Sequence, residues 1–265
     1  MSEPGLGLVS KDVNEIQKIV DVALMLDATA SMGDEIRAAT ETMVSNVQKL
    51  KSMYPNCVFR LALVVYRDYD EPDEFVIKDF TTDVESIVAI LKGQHALGGN
   101  DIAENVAGAL ANILGLSWRG DVCQVFWVAD APAHGDRYHT PSISDSYRDG
   151  DRNGLDPEQL MQRLAKQNIG ISFFKMNSTT DKMIDVLDAA YQSGRSPGNK
   201  ANFIIADVSA QLCAAKSKSF EKSFEKSFEN SFDSHPAPHL PEFFRSPSSE
   251  AYQEQFLSAV SSQLD

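Results

Sequence analysis

The chain has 265 residues, 43% of them hydrophobic, enough to bury one sizeable core with some chain to spare. Its formal net charge of −14, with no Lys/Arg cluster to segregate it, sets nucleic acid aside as a partner, because phosphates would be repelled. The three cysteines, Cys57, Cys123 and Cys213, are odd in number and far apart, which excludes a disulfide framework and leaves buried thiols in a reducing compartment as the ordinary reading. The opening MSEPGLGLVSKDVNEI has neither the basic start nor the apolar run of a signal peptide. No apolar stretch approaches the ~18 residues of a membrane span, so a cytoplasmic location is expected.

Residues 1–18 form an N-terminal segment, and strands and helices then alternate from Ile19 to about Asp207. Val22 to Leu26 is apolar on both faces, as a buried parallel strand is, and it stops abruptly at Asp27. Gly33 breaks the chain, and Ile36, Met43, Val44, Val47 and Leu50 then recur at helical spacing, so Asp27, Thr29 and Ser31 lie on a strand-to-helix turn. Val58 to Tyr66 reads as a strand. The acidic turn RDYDEPDE comes next, and Phe75 to Phe80 returns as the second arm of a hairpin. That connection is too short for a parallel crossover, which predicts an antiparallel strand at the sheet edge. A helix comes after it with Thr82 or Asp83 as its N-cap. Ile102, Val106, Leu110, Ile113 and Leu114 are spaced as another core-facing helix, with Glu104 on it either facing solvent, the simpler reading, or supporting ligands at the adjacent turn. Val122 to Ala129 is a second strand apolar on both faces, ending in Asp130. Beyond a long polar loop, Asp156 caps a helix that has Pro157 at its first position. IGISFFKM is a strand, STTDKMIDVLDAAYQS a helix, and NFIIADV a last short strand. This alternation means a mostly parallel sheet covered on both faces.

Residues 208–265 change character. KSFEKSFEKSFENSF repeats every four residues, placing Phe220, Phe224, Phe228 and Phe232 on one slowly drifting stripe. The simple reading is a low-complexity linker or marginal helix. The repeat from Ser217 to Phe232, and truncation after Ala215, are expected to leave folding intact. A Pro/Ser-rich spacer comes next, and the terminal EAYQEQFLSAVSSQLD has the apolar spacing of a short amphipathic helix.

Three acids need a common explanation: Asp27 and Asp130 at the ends of buried strands, and Asp101 in LGGNDIAENVAG. One such acid is ordinarily a turn residue or a cap. Parallel strands bring their ends to one edge of the sheet, where converging carboxylates repel unless a cation or a proton neutralises them. Asp27, Thr29 and Ser31 supply hard oxygen donors of the kind Mg²⁺ prefers.

DATAS resembles the D-x-S-x-S metal-binding turn of von Willebrand factor type A (VWFA) domains, with Asp27, Thr29 and Ser31 on the matching positions. VADAPAHGDRYH, FTTD, DGDRNGLDPEQL and NSTTDKM resemble the version found beside alpha-kinase domains in protists and fungi. The resemblance covers residues 19–207. It implies a six-stranded, doubly wound, Rossmann-like α/β sheet with a metal-ion-dependent adhesion site (MIDAS) holding Mg²⁺ or another divalent cation at its C-terminal edge. Asp130 matches the family's second acid, which commonly acts through water. The family's threonine falls at Ile102, which cannot coordinate, so the ligand role passes to the preceding Asp101. The implied function is noncatalytic binding, in which the cation accepts a carboxylate from a partner protein.

Two smaller signals compete with simpler readings. His134 and His139 suggest zinc, but two lone histidines lack the further ligands of a closed site. DGDRNG copies the start of a calcium loop, but Leu160 stands where the bidentate glutamate belongs, so an acidic turn before a capped helix is the plainer account. Two other functions remain open at this point. One is a regulator that recruits an alpha-kinase or its substrates, without a kinase domain of its own. The other is a haloacid-dehalogenase-type phosphotransferase using Asp27, since LDATAS also resembles D-x-T-G-[ST]. That chemistry requires a lysine against the phosphate and a second acid beside Asp130, where APAHG stands.

Overall fold

The computed structural model describes residues 17–33, 50–98, 101–207, 258–261 and 263. Six strands form one sheet in the order β3-β2-β1-β4-β5-β6. They are β1 (Lys18–Asp27), β2 (Cys57–Tyr66), β3 (Phe75–Thr81), β4 (Val122–Ala129), β5 (Ile169–Lys175) and β6 (Phe203–Asp207). All pairings are parallel except β2 with β3, and β3 lies at the edge as its short connection requires. Four helices are described in full: α1 (Val84–Lys92), α2 (Val106–Gly115), α3 (Pro157–Lys166) and α4 (Asp181–Gly194). The helix expected from Ile36 to Leu50 lies largely outside the described residues, where only 50–53 show its helical end.

Side-chain alternation along β1 divides the core in two. Val20, Val22, Leu24 and Leu26 pack on one face with Phe126, Val128, Ile87 and Leu91. Ala23 and Met25 pack on the other with Trp127, Phe173, Leu110, Leu164 and Leu187. The second face is covered by α2, α3 and α4. The first is covered by α1, Leu50 and the C-terminal residues Ala259 and Val260, both buried. Gln263 donates to Oε1 of the buried Gln124 at 2.8 Å, and Gln124 donates to Ser172 Oγ at 3.2 Å. Residues 258–261 and 263 are helical, as the terminal spacing predicts, and Ala259 and Val260 among them are buried in the core. This packing argues against truncation after Ala215 leaving folding intact; the repeat itself lies outside the described residues.

Strand β1 starts earlier than its apolar run, because Asp21 is a buried ionic partner. Arg60 lies opposite it in register and bonds both its oxygens, at 2.8 and 2.5 Å. The N–H groups of Arg119 and Gly120 each add a 2.8 Å bond. Four donors offset the cost of burying the charge. Cys123 is a buried free thiol, pushed up to about 12 by burial, and Cys57 is half-buried and free. No helix among the described residues is long and apolar enough to cross a membrane.

The caps at Asp83 and Asp156 form as expected, with Asp83 accepting from Ser86 N–H and Asp156 from the N–H groups of Glu158 and Gln159. The start of α2 does not. Asn105 takes the N-cap by accepting from Gly108 N–H at 2.9 Å, so the helix begins at Val106. Ile102 therefore precedes the helix and is 42% exposed instead of facing the core. Glu104 also precedes it. Its N–H bonds the Pro132 carbonyl at 2.9 Å, and it pairs with Ala133 in an isolated bridge.

Candidate metal centre

The C-terminal ends of β1, β2 and β4 meet at one edge, as parallel strands must. Asp27 ends β1 fully buried. Its Oδ1 accepts from Thr29 N–H at 2.9 Å and from the Thr29 hydroxyl at 2.7 Å, while Oδ2 is buried with no hydrogen-bond partner. Ser31, on the short 3₁₀ turn Ala30–Met32, donates to Asp130 Oδ1 at 2.9 Å. Burial first, and the charge of Asp130 second, raise the Asp27 carboxyl from 3.8 to about 7. Four of the five predicted residues thus share one corner: Asp27, Thr29, Ser31 and Asp130.

Asp101 groups with two residues that sequence spacing did not join to it as ligands. Ligand atoms of Asp68, Asp101 and His134 all lie within 4.8 Å of one another. Asp101 Oδ2 accepts from Ser146 N–H at 2.5 Å, and its Oδ1 is buried without a partner. Asp68 lies just beyond β2, in the acidic turn that had read only as a hairpin connection.

Glu104 links the two groups. It is 3% exposed, not solvent-facing as its spacing suggested, because the chain before α2 turns in against the loop after β4. Its Oε2 has no hydrogen-bond partner. Burial, then the charges of Asp27, Asp68, Glu71 and Asp101, push its carboxyl up to about 11. At neutral pH Glu104 therefore carries a proton unless a cation takes that place. The phenol of Tyr66, at the end of β2, is raised well above its usual range by burial and by Asp27, with Glu104 and Asp130 contributing. Gly98 makes room for Glu71, whose charge bears on both Asp27 and Glu104: its φ is +97°, and a Cβ there would stand 1.8 Å from the Glu71 carboxylate.

The loop after β4 is organised by Asp145. Its Oδ1 accepts from Tyr147 N–H at 2.7 Å and lies 2.7 Å from His134 Nδ1. Its Oδ2 accepts from Gly135 N–H and lies 2.8 Å from His139 Nε2. Burial opposes ionisation of Asp145, but the bonds from Gly135, His134, His139 and Tyr147 prevail and hold it at about 2. His139 is thus a structural partner of Asp145. DGDRNG is a turn: Asp151 Oδ2 accepts from the N–H groups of Asn153 and Leu155, and Arg152 pairs with Asp70 at 2.6 Å.

The profile of the von Willebrand factor A domain family matches residues 21–148, spanning β1, the hairpin, α2 and the site just described. The α/β unit is a VWFA domain. This VWFA domain is 30% identical over 172 residues to the alpha-protein kinase vwkA of Dictyostelium discoideum, an alignment covering 64% of this chain and 27% of that protein. It is 27% identical over 159 residues to an ariadne-like RING finger protein of Acanthamoeba polyphaga mimivirus, covering 58% of this chain and 15% of the relative. Among solved structures, the pilus adhesin SpaC of Lactobacillus rhamnosus GG in its open conformation aligns with a TM-score of 0.48 and 11% identity. That alignment covers 76% of this chain and 30% of the adhesin.

Proposed function

We infer that this VWFA domain is a noncatalytic protein-binding module whose cation, Mg²⁺ or another divalent ion, accepts a carboxylate from a partner. The observation that carries the reading is Asp27: a buried carboxyl with one oxygen lacking a partner, set beside two hydroxyls and Asp130. An orphaned buried oxygen is costly, and the donor set of hydroxyls and carboxylates suits a hard cation. Asp27, Thr29, Ser31 and Asp130 would hold the ion, with Asp101 as the remaining ligand. Neutral hydroxyls among the ligands leave the ion net positive character, which gives an acidic protein a means of binding an acidic group.

The similarity to an alpha-protein kinase favours a second, compatible reading, in which the partner is such a kinase or one of its substrates. Phosphotransfer on Asp27 finds less support. Among the described residues, Lys175 is engaged with Asp181 and Asp207, and Lys182 with the carbonyls of Asp136 and His139.

Isothermal titration with Mg²⁺ tests the reading. Asp27→Ala is expected to abolish measurable Mg²⁺ binding at this edge and EDTA-sensitive retention of protein partners. Unchanged Mg²⁺ affinity in that variant refutes the site. Ile102→Thr, which restores the family's hydroxyl, is expected to tighten Mg²⁺.

A further inference from the structure

We propose that Asp68, Asp101 and His134 form a second cation site beside the first, suited to a borderline divalent transition ion such as Mn²⁺ or Zn²⁺. The three come from different crossings of the same edge: the turn after β2, the segment before α2 and the loop after β4. Their ligand atoms lie within 4.8 Å of one another, and Asp68 and His134 are both buried.

The imidazole is oriented for the task. Asp145 Oδ1 lies 2.7 Å from His134 Nδ1 and Asp68 Oδ1 lies 2.7 Å from Nε2, so a proton held on Nδ1 by Asp145 would leave the Nε2 lone pair facing the ion. A carboxylate behind a histidine in this way is the usual support of a metal-bound imidazole. Tyr69 stacks on the ring at 5.0 Å and Tyr147 meets it edge-on, so its plane is fixed too.

A plain ion pair is the competing account. A protonated His134 between Asp68 and Asp145 would satisfy those three groups. It would leave Asp101 Oδ1 and Glu104 Oε2 buried with no hydrogen-bond partner. Glu104 is an independent pointer, since it is 97% buried and its carboxyl lies in the field of both Asp68 and Asp101. A cation among Asp68, Asp101 and His134 supplies a positive partner to the Asp101 carboxylate and offsets the negative field that Asp68 and Asp101 impose on Glu104. One imidazole nitrogen among carboxylates favours Mn²⁺ or Zn²⁺ over Mg²⁺ or Ca²⁺, which prefer all-oxygen sites. The pairing escaped sequence spacing because Asp68 stands 66 positions from His134. Of the residues assigned to the adhesion site this one uses Asp101 alone and requires none of Asp27, Thr29, Ser31 or Asp130, so Asp27→Ala separates the two.

The test is Mn²⁺ binding to the full chain after chelator stripping, followed by electron paramagnetic resonance with electron spin-echo detection of ¹⁴N coupling. Wild type and Asp27→Ala are both expected to bind Mn²⁺ with an imidazole nitrogen signal. His134→Gln should lose the nitrogen signal and at least about tenfold in affinity. Asp68→Asn should lose affinity while keeping the nitrogen signal in the ion that still binds. Should His134→Gln fail to fold, the wild-type spectrum decides alone. Bound Mn²⁺ without nitrogen coupling in wild type overturns the proposal, as does loss of all Mn²⁺ binding in Asp27→Ala.

Discussion

With no cation present, the Asp27 carboxyl is held at about 7, first by burial and then by Asp130, whereas the unfolded chain releases that proton near 3.8. Between these values the folded state binds more protons than the unfolded state, so this group's contribution to stability falls as pH rises through the window. At about 1.4 kcal/mol per unit, the loss is on the order of 4 kcal/mol once pH exceeds 7. Asp27→Asn removes the charge and keeps an acceptor for Thr29. In EDTA its melting temperature should equal or fall below that of wild type at pH 4 and exceed it by several degrees at pH 8. Mg²⁺ should raise the melting temperature of wild type and leave that of Asp27→Asn unmoved. A difference independent of pH would show that Asp27 is not the strained group. The sequence made Asp27, Thr29, Ser31 and Asp130 legible because each lies beside the end of a both-face-buried strand. Asp68 was hidden inside an acidic turn, and the burial of Glu104 behind a helix start misplaced by a few residues. Asn105 decided that start, and a single cap is a weak signal against an apolar repeat.

At the scale of elements, strand orientation followed from spacing alone, because a short connection forces antiparallel pairing and long helical connections force parallel. The loop between β4 and α3 was not legible in the same way. Its composition is that of a solvated connector, yet His134, His139 and Asp145 are buried and Asp145 gathers four donors. Those bonds join residues two to eleven apart with no helical or strand period, so periodicity cannot reveal them. Asp145→Ala would leave two imidazoles and two backbone N–H groups without their acceptor, a loss of about 3 kcal/mol. Denaturant unfolding should register that loss. Hydrogen exchange should place it, with the amides of Gly135 and Tyr147 exchanging faster while β4 stays protected. If β4 loses protection to the same degree, the loop and the sheet unfold as one unit and the assignment of Asp145 to a local hub is wrong.

For the molecule as a whole, the question is where the core ends. Composition places its limit near Asp207, since the chain beyond that residue is repetitive and then rich in proline and serine. Yet Val260 is fully buried among Val22, Leu24, Phe126 and their neighbours, and Gln263 answers the amide of Gln124 in the central region of the sheet. Gln124 was the one polar residue in VCQVFWVA, and its partner lies 139 positions away, beyond any local pattern. Two deletions separate the roles of the tail. Removing residues 217–232 takes out the phenylalanine repeat and leaves enough chain for 258–263 to return, so the melting transition should stay within a few degrees of wild type. Truncation after Ala215 exposes the face under Val260 and strands the Gln124 amide. One buried aliphatic side chain contributes about 1.5–3 kcal/mol and an unsatisfied buried amide costs about 1–3 kcal/mol, so this variant should melt several degrees lower or aggregate. Gln124→Leu made on the truncated chain should recover part of the loss, since it replaces the stranded amide with an apolar group. Equal melting temperatures for the two deletions would mean that the C-terminal segment contributes no stability to the core.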